Sequence, residues 1–181
     1  EIALAHEAIA HALADAAMAL GAPTGALRDA PRIVLTGRLA DLPRAAQSLL
    51  VALDALEPRA VATVSRERAD GLVALGALAA WTRSRGIGDP LGIAPQLGRH
   101  AERLAVIAPL ATRRTATLEV RRSGGKVSAR VEPGTLTALP ASGPVELACV
   151  SPDLRGRGEA GGLGIVVDAR GRPLALPPRD A

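Results

Sequence analysis

Between Arg32 and Ala80 the spacing of apolar positions changes from one stretch to the next. Arg32-Ile-Val-Leu-Thr36 is a short run rich in β-branched residues and closes on Gly37. From there to Glu57 the apolar positions recur every three or four residues, with a stripe at Ala46, Leu49, Leu50, Leu53 and Leu56. Arg59-Ala-Val-Ala-Thr-Val64 is a second short apolar run, and another helical run extends through Gly76-Ala-Leu-Ala-Ala80. Short β-branched runs predict strands covered on both faces, and the stripes predict amphipathic helices. The order is strand, glycine turn, helix, strand, helix. Asp41 is a candidate N-cap for the first of these helices, Pro43 is tolerated in its first turn, and Pro58 ends it. The second is predicted over 67–83, with Ser65 able to cap it. Gly71 and Gly76 lie inside it, each at a cost of about 1 kcal/mol against alanine. They point to close approach by a strand or ligand, or equally to tight helix packing.

Alanine-rich residues 1–20 predict a further helix closed by Gly21, and 21–31 reads as a loop. The Gly/Pro-rich stretch 85–99 marks a boundary between an α/β part, 1–99, and a second part, 100–181. Beyond it the period becomes strand-like. Leu104–Ala108 predicts one strand, and Thr115–Val120 and Lys126–Val131 predict a hairpin around Ser123-Gly-Gly125. Thr135–Leu139, Val145–Val150 and Leu163–Asp168 are further strands, 151–162 is a Gly/Arg loop, and Pro173–Pro177 is a terminal extended piece. Short strands without intervening helices predict a small all-β barrel or sandwich. The fold class expected is α/β followed by all-β.

Composition narrows the partners. The 181 residues are 48% hydrophobic, yet Phe and Tyr are absent and Trp81 is the single aromatic residue, so the core must be assembled from many small contacts. The net charge is +4, but the arginines are spread along the chain and stacking aromatics are missing, which argues against nucleic acid. Cys149 is the single cysteine and reads as a small buried apolar residue. No disulfide can form within the chain and no signal peptide is recognisable, so a cytoplasmic location is expected. The longest uncharged apolar run, Gly71–Trp81, falls short of the roughly 20 residues of a membrane helix, so no membrane partner is expected. The chain opens at Glu1 in a helical pattern, as expected of the carboxyl-terminal piece of a longer protein.

Candidate chemistry is sparse. His6 and His11 are five apart, off the spacing that puts two metal ligands on one helical face. Ser123-Gly-Gly-Lys126 lies between strands and is not a phosphate loop. Gly156-Arg-Gly158 and Gly161-Gly-Leu-Gly164 read as a flexible loop or as anion-binding backbone nests. Asp153 and Asp168 have no acid or base nearby in sequence, and no nucleophile elbow is present. No catalytic residue and no metal site is expected. The strand ending on Thr36-Gly37 is the informative feature, because ligands of open α/β sheets bind at the carboxyl edge of the strands.

Three stretches carry a resemblance: Leu35-Thr-Gly37 with its following helix and strand, the helix with Asp70-Gly-Leu-Val-Ala-Leu-Gly-Ala-Leu-Ala-Ala80, and the closing Gly161-Gly-Leu-Gly-Ile-Val-Val-Asp-Ala-Arg-Gly-Arg-Pro-Leu-Ala-Leu-Pro177. Together they resemble the carboxyl-terminal part of the glutamate mutase L family, also called the methylaspartate mutase accessory protein. Asp89-Pro-Leu-Gly92 and the stretch from Pro133-Gly134 to Leu139-Pro140 are compatible with it. The resemblance implies the βαβα layer of an actin- or Hsp70-like ATPase subdomain. It also implies an accessory factor that reactivates or assembles an adenosylcobalamin-dependent mutase, whose subunit would be the partner. It implies ATP as ligand, with Thr36 and Gly37 near the ribose and base and Gly76 and Ala77 lining the adenine slot. Arg38 stands where the family has a second glycine, placed to meet a phosphate or to cross the pocket. Magnesium binding and hydrolysis would need the family's amino-terminal half. The alternative is a non-catalytic interaction scaffold whose nucleotide site has decayed.

Overall fold

The computed structural model describes residues 11–12, 28–68, 71–87, 101–150 and 152–171. Most of the helix expected over 1–20, the Asp89–Gly92 segment and the Pro173–Pro177 piece lie outside them. Among the described residues the chain is a mixed α/β protein with nine strands in two sheets. The strands are β1 (Arg32–Leu35), β2 (Ala62–Arg66), β3 (Glu102–Pro109), β4 (Ala116–Arg122), β5 (Gly125–Val131), β6 (Leu136–Leu139), β7 (Gly143–Cys149), β8 (Leu154–Ala160) and β9 (Gly164–Asp168). Helix α1 (Ala45–Leu56) connects β1 to β2, and α2 (Gly71–Ser84) follows β2. No helix among the described residues is long and apolar enough to cross a membrane.

Sheet A has the order β1-β2-β3-β9-β6, with β1 parallel to β2 and β3 parallel to β9, while the β2–β3 and β6–β9 pairs are antiparallel. Sheet B is antiparallel throughout, in the order β5-β4-β7-β8. The boundary expected at 99/100 runs through sheet A: β1 and β2 precede it, and β3, β6 and β9 follow it. The reason is legible in β3. Leu104-Ala-Val-Ile-Ala108 is apolar at every position and wholly buried, as a strand with neighbours on both faces must be. Leu104, Ala105 and Ile107 join a core with Leu49, Ala52 and Leu53 of α1, while Val106 and Ala108 join a second core with Leu118, Leu147 and Val131 of sheet B. The layers are therefore helix, sheet A, sheet B.

Helix α1 starts four residues later than its candidate cap. A short 3-10 turn, Gly37–Leu39, takes up the chain after β1, and Arg44 rather than Asp41 is the N-cap, without a side-chain capping bond. The inward stripe shifts accordingly: Ala46 is exposed, and Ala45, Leu49, Ala52, Leu53 and Leu56 face the sheet. The Ser48 hydroxyl donates to the Leu39 carbonyl at 2.8 Å and ties the 3-10 turn to the helix. The helix does end before Pro58, at Glu57 in the left-handed conformation (φ 45°). Ser65 caps nothing, because β2 runs on to Arg66.

The stretch 151–162 corrects the expected loop. Its middle is β8, whose residues alternate between the two faces of sheet B. Gly156 and Gly158 pair with Leu147 and Val145 and face sheet A, while Arg155, Arg157 and Glu159 face outward. A Cβ at Gly156 would overlap the Val61 side chain, and one at Gly158 would come within 2.6 Å of Val106 Cγ2 and 3.0 Å of Thr63 Oγ1. These glycines let the two sheets close on each other, and the Glu159 amide then donates to Thr63 Oγ1 at 3.1 Å. The anion-nest reading of Gly156-Arg-Gly158 falls with the loop. The β4–β5 hairpin forms as expected, with Arg122 opposite Gly125, and Cys149 is buried in the core between the sheets.

Gly158→Ala is expected to destabilise the fold by about 2–3 kcal/mol, as overpacking does, a Tm loss of roughly 5–10 °C in a chain of this size. Adding Val106→Ala recovers part of that loss, and Gly124→Ala, where a Cβ meets open space, stays within about 0.5 kcal/mol. Thermal or urea unfolding of the four proteins checks this.

Candidate functional site

Parallel strands β1 and β2 end side by side, with Leu35 opposite Arg66, and β3 begins beside them at Glu102. The Glu67 amide donates to the Leu35 carbonyl at 2.8 Å, which places Thr36 next to the end of β2. Thr36, Gly37 and Arg38 thus lie at the carboxyl edge of β1, where the sequence pattern puts them. Gly37 has a φ of +60°, a conformation in which a side chain is strained, and a Cβ there would meet no atom within 4 Å. The glycine therefore serves the turn, and Arg38 is exposed.

Gly76 and Ala77 are exposed on α2, and a Cβ at Gly76 would likewise meet nothing within 4 Å. Neither the close approach nor the tight packing expected at this glycine is made by the described residues. Leu78 is also exposed on α2, as is Trp81, which is 52% exposed with the Arg85 guanidinium 5.3 Å from its ring centre.

Arg66 dominates this edge, and its role comes from strand alternation. It follows Ala62 and Val64 at every second position and so points to the buried helix side of sheet A. Only 7% of it is exposed. Its Nε donates to Glu102 Oε2 at 2.7 Å and its Nη2 to Glu102 Oε1 at 3.3 Å, while the buried Nη1 has no hydrogen-bond partner among the described residues. The Arg66 hydrogen bonds hold the Glu102 carboxyl below its ordinary range against the opposing effect of burial, helped by the charges of Arg66 and Arg68. An unpaired buried guanidinium nitrogen costs free energy that one more acceptor would recover. This edge is therefore cationic, with Arg38 and Arg68 exposed around it.

The opposite edge of sheet A carries a second charged constellation, at the carboxyl ends of β3 and β9. Arg170 donates from Nε to Asp168 Oδ1 at 2.9 Å and from Nη2 to Asp168 Oδ2 at 3.1 Å and Asp54 Oδ1 at 2.8 Å, which ties β9 to α1. Burial lowers the Arg170 pKa, but the Asp168 bond and the two aspartate charges outweigh it and hold the group above its ordinary value. Nearby, Arg28 Nη2 donates to Glu57 Oε2 at 2.7 Å. A cavity of about 340 Å³ opens between Arg28, Glu57, Pro58, Arg59, Leu110 and Asp168. A shallower hollow of about 510 Å³ lies on the outer face of sheet B, between Arg121, Glu146, Arg155 and Arg157. None of Thr36, Gly37, Arg38, Gly76 and Ala77 lines either space.

Sequence spacing alone missed Arg66, Glu102 and Arg170. A usable signal existed for Arg66: a charged residue at an inward position of an otherwise apolar alternation. Among the described residues no three His, Cys, Asp or Glu side chains group as metal ligands do. No protein-family model, curated protein or solved structure matches this chain.

Glu102→Gln is expected to cost about 1–2 kcal/mol at pH 7, below the range for a fully buried charged bond because the Glu102 side chain is 56% exposed. The folded-state pKa of Glu102 is depressed, so its contribution is complete above the usual glutamate pKa and is lost as pH falls through the lower, folded value. The stability gap between wild type and variant should therefore close on acidification. Urea midpoints measured from pH 7 down to pH 3 check the sign.

Proposed function

We propose that this chain is the adenosine-side part of an actin-like ATPase accessory factor that serves an adenosylcobalamin-dependent mutase. The observation that carries the proposal is the carboxyl edge of β1 and β2, where left-handed Gly37 lies beside the end of β2 and the buried Arg66 keeps one donor without a partner. Two parallel strands joined by a helix and followed by a second helix provide the βαβα layer that the resemblance requires. Ligands of open α/β sheets bind at this edge. ATP offers an anion for the exposed Arg38 and Arg68, beside the Arg66–Glu102 pair. The residues fit the charged portion of such a ligand; Gly76 and Ala77 leave the purine an open helix face rather than an enclosed slot. In this reading the chain orients the nucleotide and does not cleave it, and magnesium is held by residues beyond this chain.

The second reading is an interaction scaffold with a decayed nucleotide site. It is favoured by the exposure of Arg38 beside the turn, and by exposed Leu78 and Trp81 next to Gly76 and Ala77 on α2. Calorimetric titration of ATP into the wild type and into Arg38→Gly separates the two. Micromolar to millimolar binding by the wild type, with amide shifts at Thr36, Gly37, Gly76 and Ala77, is the expected result. Binding that appears only in Arg38→Gly establishes the scaffold reading, and no binding by either protein removes the nucleotide.

A further inference from the structure

We infer that the cavity at the carboxyl ends of β3 and β9 is a binding site for a small organic carboxylate with an apolar body. It lies at the sheet edge opposite Thr36 and Gly37, and the inference does not depend on the nucleotide reading. At about 340 Å³ it falls within the range of small-molecule sites, most of which combine an apolar lining with a few fixed polar groups. Half-buried Pro109 and exposed Ala111 supply the apolar surface, backed by buried Pro58 and Leu110.

The charges of the lining are unequal in their commitments. The Glu57 carboxylate is held by Arg28 at 2.7 Å, and the Asp168 carboxylate is gripped through both oxygens by Arg170, itself anchored to Asp54 at 2.8 Å. Neither carboxylate calls for a cation from a ligand. Arg59 differs. Its backbone amide is fixed to the Arg28 carbonyl at 2.7 Å, just ahead of β2, but its guanidinium has no partner among the described residues. Of the charged side chains lining the cavity, Arg59 is thus the one without an ion pair among the described residues, and its guanidinium carries five N–H donors arranged to take a carboxylate in two parallel bonds. The clasps at Arg28–Glu57 and Asp54–Arg170–Asp168 fix the walls before any ligand arrives, which lowers the ordering cost of binding. The apolar surface of Pro109 and Ala111 rewards a ligand that carries hydrocarbon beyond its carboxylate.

The test uses the whole chain and four probes: 4-methylpentanoate, its neutral amide, 3-methylbutylamine and inorganic phosphate. Titration followed by amide chemical shifts is expected to show saturable binding of the carboxylate, with shifts at Arg59, Leu110 and Ala111, and at least tenfold weaker binding of the other three. Arg59→Gln should weaken carboxylate binding at least tenfold, Arg59→Lys should recover part of it, and Arg122→Gln, on the distant β4–β5 hairpin, should leave it unchanged. Arg59 is exposed, so these variants keep the fold, and their melting curves verify it. The inference is overturned if the amide or the amine binds as well as the carboxylate, if phosphate binds equally well, if Arg59→Gln binds undiminished, or if no probe saturates.

Discussion

The fold depends on β3 being apolar along its whole central run. A strand with one wet face would carry polar residues at alternate positions and could serve only one core. Leu104-Ala-Val-Ile-Ala108 serves two, with Leu104, Ala105 and Ile107 entering the core under α1 and Val106 and Ala108 the core against sheet B. The same strand pairs with β2 on one side and β9 on the other, so the βαβ unit and the strands from the end of the chain are fixed in one sheet. A polar residue at any of these five positions would leave a buried group without a partner, at a cost comparable with a sizeable part of a domain's net stability.

With no Phe or Tyr and a single exposed Trp, the layers cannot be held apart by large rings. They close instead, and β8 shows how far. Its two middle inward positions are Gly156 and Gly158, set directly on Val61, Thr63 and Val106. The close approach also lets a hydroxyl of one sheet accept an amide of the other, through Thr63 and Glu159. An aromatic-poor core is in this way compensated by backbone proximity rather than by side-chain volume, consistent with interiors that are close-packed whatever their composition.

The same fact explains what could and could not be read from the sequence. The βαβα order, the β4–β5 hairpin and the buried strand β9 follow from apolar period and turn residues, and each is present. β8 was hidden because glycine took the middle of the apolar half of its alternation, between Leu154 and Ala160. Arg155-Gly-Arg157-Gly-Glu159 keeps a strict period of two, but a period written in glycine and charge looks like a loop. The placement of β3 was hidden for another reason. Its run does signal burial on both faces, yet nothing local says which strands lie on either side, and the Gly/Pro-rich stretch before it suggested a boundary. Of the candidate site residues, the position of Thr36, Gly37 and Arg38 at a strand end was legible because strand ends are; the exposure of Gly76 and Ala77 was not, since it depends on how α2 is placed against the sheet.

Sheet A has two ends, and they differ in how their charge is settled. At the carboxyl ends of β3 and β9, Arg170 is shared by two aspartates and Arg28 is matched by Glu57, so these side chains are held in ion pairs around a cavity with Arg59 on its rim. At the carboxyl ends of β1 and β2, Arg66 is nearly buried with one carboxylate for partner and one nitrogen orphaned. The first arrangement builds rigid walls and leaves an accessible cation. The second leaves a donor inside the protein that water does not reach. An exposed cation can wait for a ligand at little cost, because solvent satisfies it; a buried donor cannot. The end of β2 is therefore the less relaxed of the two, and the place where a further acceptor would add most to the stability of the whole.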